Sequence, residues 1–151
     1  MSTHPGARTG NAIVSSDWAP FFAETHVPAA IRVGDTLHVT GTTGQTALDE
    51  YPKEPEGQIR QTFANIAVTL AEVGATWSDV VAMTTYHVSM SSQARLLLEA
   101  AADFLEAPYP AWTAVGVTEL WSPDAIIEIS CMAIVHPLTA VLTASATDRS
   151  A

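Results

Sequence analysis

The stretch Pro108-Tyr-Pro-Ala-Trp-Thr-Ala-Val-Gly-Val-Thr-Glu-Leu-Trp-Ser-Pro-Asp-Ala-Ile-Ile-Glu-Ile-Ser130 reads as two apolar, strand-forming runs joined by a turn at Leu120–Asp124. The first run is expected over Ala111–Thr118 and the second over Ala125–Val135. Within the second, Glu128 stands between Ile127 and Ile129. A carboxylate flanked by β-branched residues either lies on the wet face of a strand or is buried for a reason. It can serve as a structural acid that accepts backbone hydrogen bonds, or as a partly desolvated proton carrier. Both readings are open at this level.

Val80–Ser89 reads as a further long strand, and Asn11–Ser15 as a short one. Pro28–Val33 and Thr36–Gly41, separated by Gly34-Asp35, have the form of a two-residue hairpin, with Leu37 and Val39 on one face and Thr36, His38 and Thr40 on the other. Glu56–Val73 carries the clearest helical stripe, made of Ile59, Phe63, Ile66, Leu70 and Val73, with Arg60, Gln61, Asn65, Thr69 and Glu72 expected towards solvent. A second helix is expected from a Ser91 or Ser92 cap to about Glu106, with Leu97, Ala101 and Phe104 inward and Pro108 beyond it. Asp17–His26 contains Trp18, Phe21 and Phe22 around Pro20 and reads as a loop whose aromatics either anchor it to the core or line a pocket.

The pattern is α+β, a mixed sheet with two helices on one face. Val80–Ser89 and Ala125–Val135 carry Glu128 as their one charged side chain apart from Asp124 at the turn. Neither face of these strands is dressed for water, so the face without helices is expected to be covered by further copies of the chain.

At 151 residues and 48% hydrophobic composition the chain suits one domain, expected over 11–136 between a mobile tail at 1–10 and a C-terminal tail at 137–151. One cysteine, Cys131, forms no intrachain disulfide, and with no apolar leader in the first residues a cytoplasmic location is the expectation. No run approaches the roughly 18 apolar residues of a membrane span. A formal charge of -10, with the bases Arg8, Arg32, Lys53, Arg60, Arg95 and Arg149 dispersed, disfavours nucleic acid as a partner. Histidines 4, 26, 38, 87 and 136 lack metal-ligand spacing, and neither a metal nor a cofactor is expected. His38 and His87 lie on strands, either hydrogen-bonded within a core or interface or lining a cleft.

Taken together, Val39-Thr-Gly41, Gln58-Ile-Arg-Gln-Thr-Phe-Ala-Asn-Ile66, Gly74-Ala-Thr-Trp-Ser-Asp-Val-Val81, Thr84-Thr-Tyr-His-Val88, Pro110-Ala111 and Ile127-Glu-Ile129 resemble, in order and spacing, the Rid family of RidA/YjgF-like reactive intermediate deaminases. The resemblance runs from about Pro28 to Val135. It implies a chorismate-mutase-like fold, a homotrimer whose sheets form a central barrel, and a ligand cleft at each subunit interface. It also implies hydrolysis of enamine or imine intermediates to ketones with release of ammonia and no cofactor. Carried over position by position, the catalytic glutamate matches Glu128, and the family's serine-glycine matches Thr40-Gly41. The carboxylate-gripping arginine is replaced by Trp112, and the family's tyrosine and asparagine fall at Val27 and near Leu98.

On this reading Thr40 and Thr113 supply hydroxyls, Trp112 forms the cleft wall, and Trp18, Phe21, Phe22, His38 and His87 are candidate cleft-lining residues. An arginine–carboxylate fork contributes about 1.5–3 kcal/mol per charged hydrogen bond. Its loss turns the expectation towards a small-molecule substrate not held by a carboxylate, on a divergent branch of the family. The competing expectations are a trimer that only binds ligands or proteins and, in third place, a ribonuclease.

Overall fold

The computed structural model describes residues 10–136. Nearly all of the tail expected at 1–10, and the whole of 137–151, lie outside the described residues. Six strands form one mixed sheet: β1 (Asn11–Ile13), β2 (Ala30–Val33), β3 (Thr36–Thr43), β4 (Val80–Val88), β5 (Ala111–Val117) and β6 (Ile127–Ile134). Among the described residues there are three α-helices, α1 (Ala19–Thr25), α2 (Pro55–Ala71) and α3 (Met90–Phe104), and a 3-10 turn at Trp77–Asp79.

The hairpin β2–β3 pairs Val33 with Thr36 across Gly34-Asp35, and Gly34 takes the left-handed φ of 59° that a side chain would resist. α2 starts on Pro55, whose missing N–H costs nothing in the first turn, and it packs Ile59, Phe63, Ile66 and Leu70 fully buried. Thr69 lies on that buried side too, 2% exposed, and Asn65 is half-buried, so the solvent face of α2 is narrower than the residue types imply. Phe63 stacks on Phe104 and tilts against Trp77, each with ring centroids 5.2 Å apart, joining α2, α3 and the 3-10 turn in one core. α3 begins differently from the serine-capped start expected: Ser89 occupies the cap position at φ 62° without a side-chain cap, and Ser92 instead donates to the Ser89 carbonyl at 2.8 Å.

Strand order is β1-β2-β3-β6-β4-β5. The two runs joined at Leu120–Asp124 are therefore not neighbours. β5 lies parallel to β4, as a β–α–β unit with α3 as its crossover demands, while β6 enters between β3 and β4, antiparallel to both. The β6 ladder is satisfied on both edges, which suits its apolar composition. Leu37, Met83, Ile127, Ile129 and Ala133 point to α2 and α3 and are buried. The opposite face carries Ala82, Thr84 and Tyr86 of β4 beside Met132, Ser130 and Glu128 of β6, all half-buried and without a helix over them.

Candidate active site

The site is built on an irregularity in β3. Val39 pairs with Cys131 and Thr42 with Ile129, so β3 advances three residues (39 to 42) while β6 advances two (131 to 129). Such a bulge re-aims the side chains at Thr40-Gly41. Thr40 is tied down on the other side: its N–H donates to the Ala29 carbonyl at 2.9 Å and its hydroxyl to the Pro28 carbonyl at 2.7 Å. Glu128 leans across Gly41 so closely that a Cβ there would lie 2.0 Å from Oε1. Only glycine admits the carboxylate in this position. Thr40-Gly41 and Glu128, far apart in the chain, thus meet at one place.

Glu128 opens on a cavity of about 320 Å³. One wall is α1, a helix where a loop was expected. Ser15 starts it by accepting the N–H groups of Trp18 and Ala19 at 3.1 and 3.0 Å, Pro20 fits the first turn, and His26 ends it at φ 61°. Trp18 and Phe21 of this helix line the cavity and pack edge-to-face, 5.2 Å between centroids. Phe22 turns away and packs against His26. The opposite wall comes from the loop after β3, clamped by Asn65, whose Nδ2 donates to the Thr43 and Gln45 carbonyls at 2.9 and 2.8 Å. Asn65 is therefore not a solvent residue. Tyr51, 3.3 Å from the Thr43 hydroxyl, and Trp121 complete the aromatic lining.

The carboxyl of Glu128 is held above the usual carboxylate range by desolvation. Among the described residues it accepts no hydrogen bond from the backbone and has no cationic partner, which a purely structural acid would need. Two buried glutamines set the path into it. Gln58 of α2 donates to the Asp124 carbonyl at 3.0 Å and accepts the Ile126 N–H at 2.6 Å, and Gln93 of α3 donates to the Val88 and Ile126 carbonyls. Neither glutamine stands out in the sequence except as a polar residue bordering an apolar stripe.

Besides Phe22, four of the candidate residues lie elsewhere. In the parallel register Trp112 pairs with Met83 and His87 with Gly116, whereas Tyr86 pairs with Glu128. Strand alternation therefore puts Trp112 and His87 on the helix-covered face and Glu128 on the other. The Trp112 indole N–H donates to Thr85 Oγ1 at 3.0 Å, so Trp112 is not a wall of this chain's cavity. That leaves the Thr85 hydroxyl proton for His87 Nε2, 2.8 Å away, and His87 Nδ1–H then donates to Gln93 Oε1 at 2.9 Å. His87 is fully buried, and desolvation lowers its pKa, so it is a neutral core histidine rather than a cleft residue. His38 is exposed opposite Met132, away from the cavity, and Thr113 is exposed on the edge strand β5. Cys131, on the face opposite Glu128, is buried, and its thiol is pushed up to about 12. Among the described residues no three His, Cys, Asp or Glu side chains gather to hold a metal ion. No described helix is long and apolar enough to cross a membrane.

The family model described as Endoribonuclease L-PSP matches residues 18–135. The RutC family protein YjgH of Escherichia coli (strain K12) is 36% identical over 109 residues, covering 72% of this chain and 83% of that protein. A protein of Dermatophagoides farinae named 2-iminobutanoate/2-iminopropanoate deaminase is 27% identical over 109 residues, covering 71% of this chain and 84% of its own. Among solved structures, a protein YjgH matches with a TM-score of 0.78 at 31% identity, covering 86% of this chain and 99% of that one. A member of the YjgF/YER057c/UK114 family from Mycobacterium tuberculosis matches with a TM-score of 0.72 at 28% identity, covering 83% and 99%.

Proposed function

This chain belongs to the Endoribonuclease L-PSP family, that of the YjgF and RidA proteins, and on that footing we propose that it hydrolyses a small, reactive imine or enamine to a carbonyl compound and ammonia without a cofactor. The observation that carries the proposal is Glu128: a half-buried carboxylate without a partner among the described residues, resting on Gly41 at the edge of an aromatic cavity. Desolvation brings its pKa closer to neutrality, where one group can both take and return a proton. Glu128 accepts a proton as water adds to the C=N carbon. It then returns the proton to the nitrogen, which leaves as ammonia. An enamine enters the same path once it is protonated on carbon. Acid–base help of about 10²–10⁴-fold suffices for intermediates that already hydrolyse in water.

Thr40 already spends its hydroxyl proton on Pro28, so towards a ligand it acts as an acceptor. The half-buried sheet face that no helix covers supports a homotrimer with the three sheets around a central barrel. In that assembly a partner's edge strand β5, with its Thr113, adds to the cleft. Light scattering after size exclusion tests the trimer, and a monomer at micromolar concentration would remove it.

The enzymatic test is Glu128→Gln, assayed by the decay of imines generated in situ. We expect a loss of at least about a hundredfold in the catalysed rate, and an unchanged rate would take Glu128 out of the mechanism. The aromatic lining and the missing arginine favour one second reading, a trimer that binds apolar ligands without turning them over. Binding by a wild type that accelerates no imine would favour it. Ribonuclease action remains disfavoured, because the cavity carries Asp17 and Glu128 and, among the described residues, no lysine or arginine to meet a phosphate. RNA cleavage that survives repurification and disappears in Glu128→Gln would reverse that ranking.

A further inference from the structure

We infer that the ligand of this cavity carries a positive charge next to an aromatic or bulky apolar group and has no carboxylate, as in the iminium form of a simple arylalkyl imine. The inference rests on the imine-hydrolysing reading for the identity of the cation, and on the cavity alone for its charge. Four aromatic side chains, Trp18, Phe21, Tyr51 and Trp121, line the cavity together with the carboxylates of Asp17 and Glu128, and among the described residues no lysine, arginine or histidine does.

Aromatic faces attract cations through their quadrupole, and carboxylates repel anions and hold cations, so the charged groups and the aromatic rings on the wall act in the same direction. A protein charge of -10 adds a long-range field of that sign. A ligand carboxylate would find no charged donor among the described residues of this chain. It would also sit beside Glu128, on which the proposed chemistry depends.

Volume sets the scale. An apolar cavity of roughly 150 Å³ holds benzene, so about 320 Å³ takes one ring with a short amine-bearing chain. The reaction balances with one iminium ion and one water giving one carbonyl compound and one ammonium ion. The water oxygen forms the new C=O bond, the C–N bond breaks, both water protons end on the nitrogen, and the positive charge leaves with it. The class of reaction that must supply such a substrate is the two-electron oxidation of a carboxylate-free amine to its imine.

Calorimetric titration of the full-length protein at pH 8 with three ligands of one shape tests the charge: 2-phenylethylamine, protonated at that pH, neutral 2-phenylethanol, and the anion 3-phenylpropanoate. We expect the amine to bind about tenfold more tightly than the alcohol, and the acid to bind most weakly. Trp121→Ala, at a residue 87% exposed and hence without a folding role, should cut the amine's advantage severalfold. Equal affinities, or a preference for the acid, would overturn the inference. Turnover separates the two proposals. If the binding order holds and no imine is hydrolysed, the enzymatic reading fails and the cationic ligand stands. If imines are hydrolysed with the carboxylated imine of phenylalanine preferred over that of 2-phenylethylamine, the ligand class fails and the enzyme stands.

Discussion

Gly41→Ala is the substitution that most directly asks whether Glu128 works from where it lies. The added Cβ would sit 2.0 Å from Oε1, 2.8 Å from Cδ and 3.2 Å from Cγ of Glu128, with no backbone atom among the three nearest. Ordinary contact begins at 3.4 Å, so the carboxylate oxygen must retreat by at least 3.4 − 2.0 = 1.4 Å. The φ of Gly41 is not positive, and alanine adopts this backbone without strain. Because only a side-chain end has to move, and Gly→Ala itself favours folding by about 0.4–1 kcal/mol through the unfolded chain, stability should stay within ~1 kcal/mol of wild type. Activity should not. Misplacing a catalytic group by about 1 Å costs on the order of 10²-fold, near 2.7 kcal/mol of barrier. Urea unfolding measures the first quantity, and ammonia release from imines made in situ measures the second. The double variant with Glu128→Gln shows whether the loss passes through the carboxylate, because then Gly41→Ala adds nothing once the carboxylate is gone. A Gly41→Ala rate within threefold of wild type, or a full hundredfold loss persisting in the Glu128→Gln background, would show that Glu128 does not act from this position.

Stability should also report on Glu128. Burial raises its pKa, so between the unfolded and the folded value the native chain holds a proton that the unfolded chain has released, and stability falls as pH rises through that window. Glu128→Gln should therefore melt higher than wild type at pH 8 and equally at pH 4, and a gain of the same size at both would contradict the assignment. Thr85→Val removes the hydroxyl between the half-buried Trp112 indole and the buried His87 and leaves both without that partner, at a cost of about 1–3 kcal/mol in urea unfolding; a change below about 0.5 kcal/mol would mean that the chain of hydrogen bonds does not form. Trp112→Arg puts a guanidinium among Thr85, His87 and Met83 instead of in the cavity, so it should destabilise the protein and leave affinity for 3-phenylpropanoate unchanged. Tightened binding of that acid would show that residue 112 reaches the ligand.

The parts of the fold that were legible in the sequence are those whose signal is local. The stripe Ile59, Phe63, Ile66 and Leu70 is buried as its spacing implies, and Leu37 and Val39 face inward across a turn that needs Gly34. Strand order was not legible. Nothing within Ala125–Val135 states that it slots between β3 and β4, because the partners of a strand are chosen by what else the sheet must cover. α1 was missed for another reason. Its seven residues, Ala19–Thr25, are too few to display a helical period, and its start is fixed by a carbonyl, that of Ser15, which leaves no mark in the residue types.

The site divides along the same line. Glu128 could be singled out because an acid between isoleucines is locally anomalous, and Gly41 because the resemblance matched a serine-glycine to Thr40-Gly41. The tryptophans differ, since Trp112 and Trp121 stand at the two ends of one stretch and only the pairing of β5 with β4 assigns them to different surroundings. Given the register of Trp112 with Met83, the strand's period of two sends the indole under the helices, where its N–H joins a chain of hydrogen bonds through Thr85, His87 and Gln93 to the Ile126 carbonyl. That carbonyl lies two residues before Glu128. The residue standing where the resemblance puts a ligand-binding arginine thus stiffens the approach to the carboxylate from behind the sheet, and among the described residues the charged groups of the cavity in front of it are acids, set among aromatic rings, hydroxyls and amides. Both faces bear on the proposed ligand in the same way: among the described residues of this chain a carboxylate in the cavity meets no lysine, arginine or histidine, while a cation meets Glu128, Asp17 and four rings.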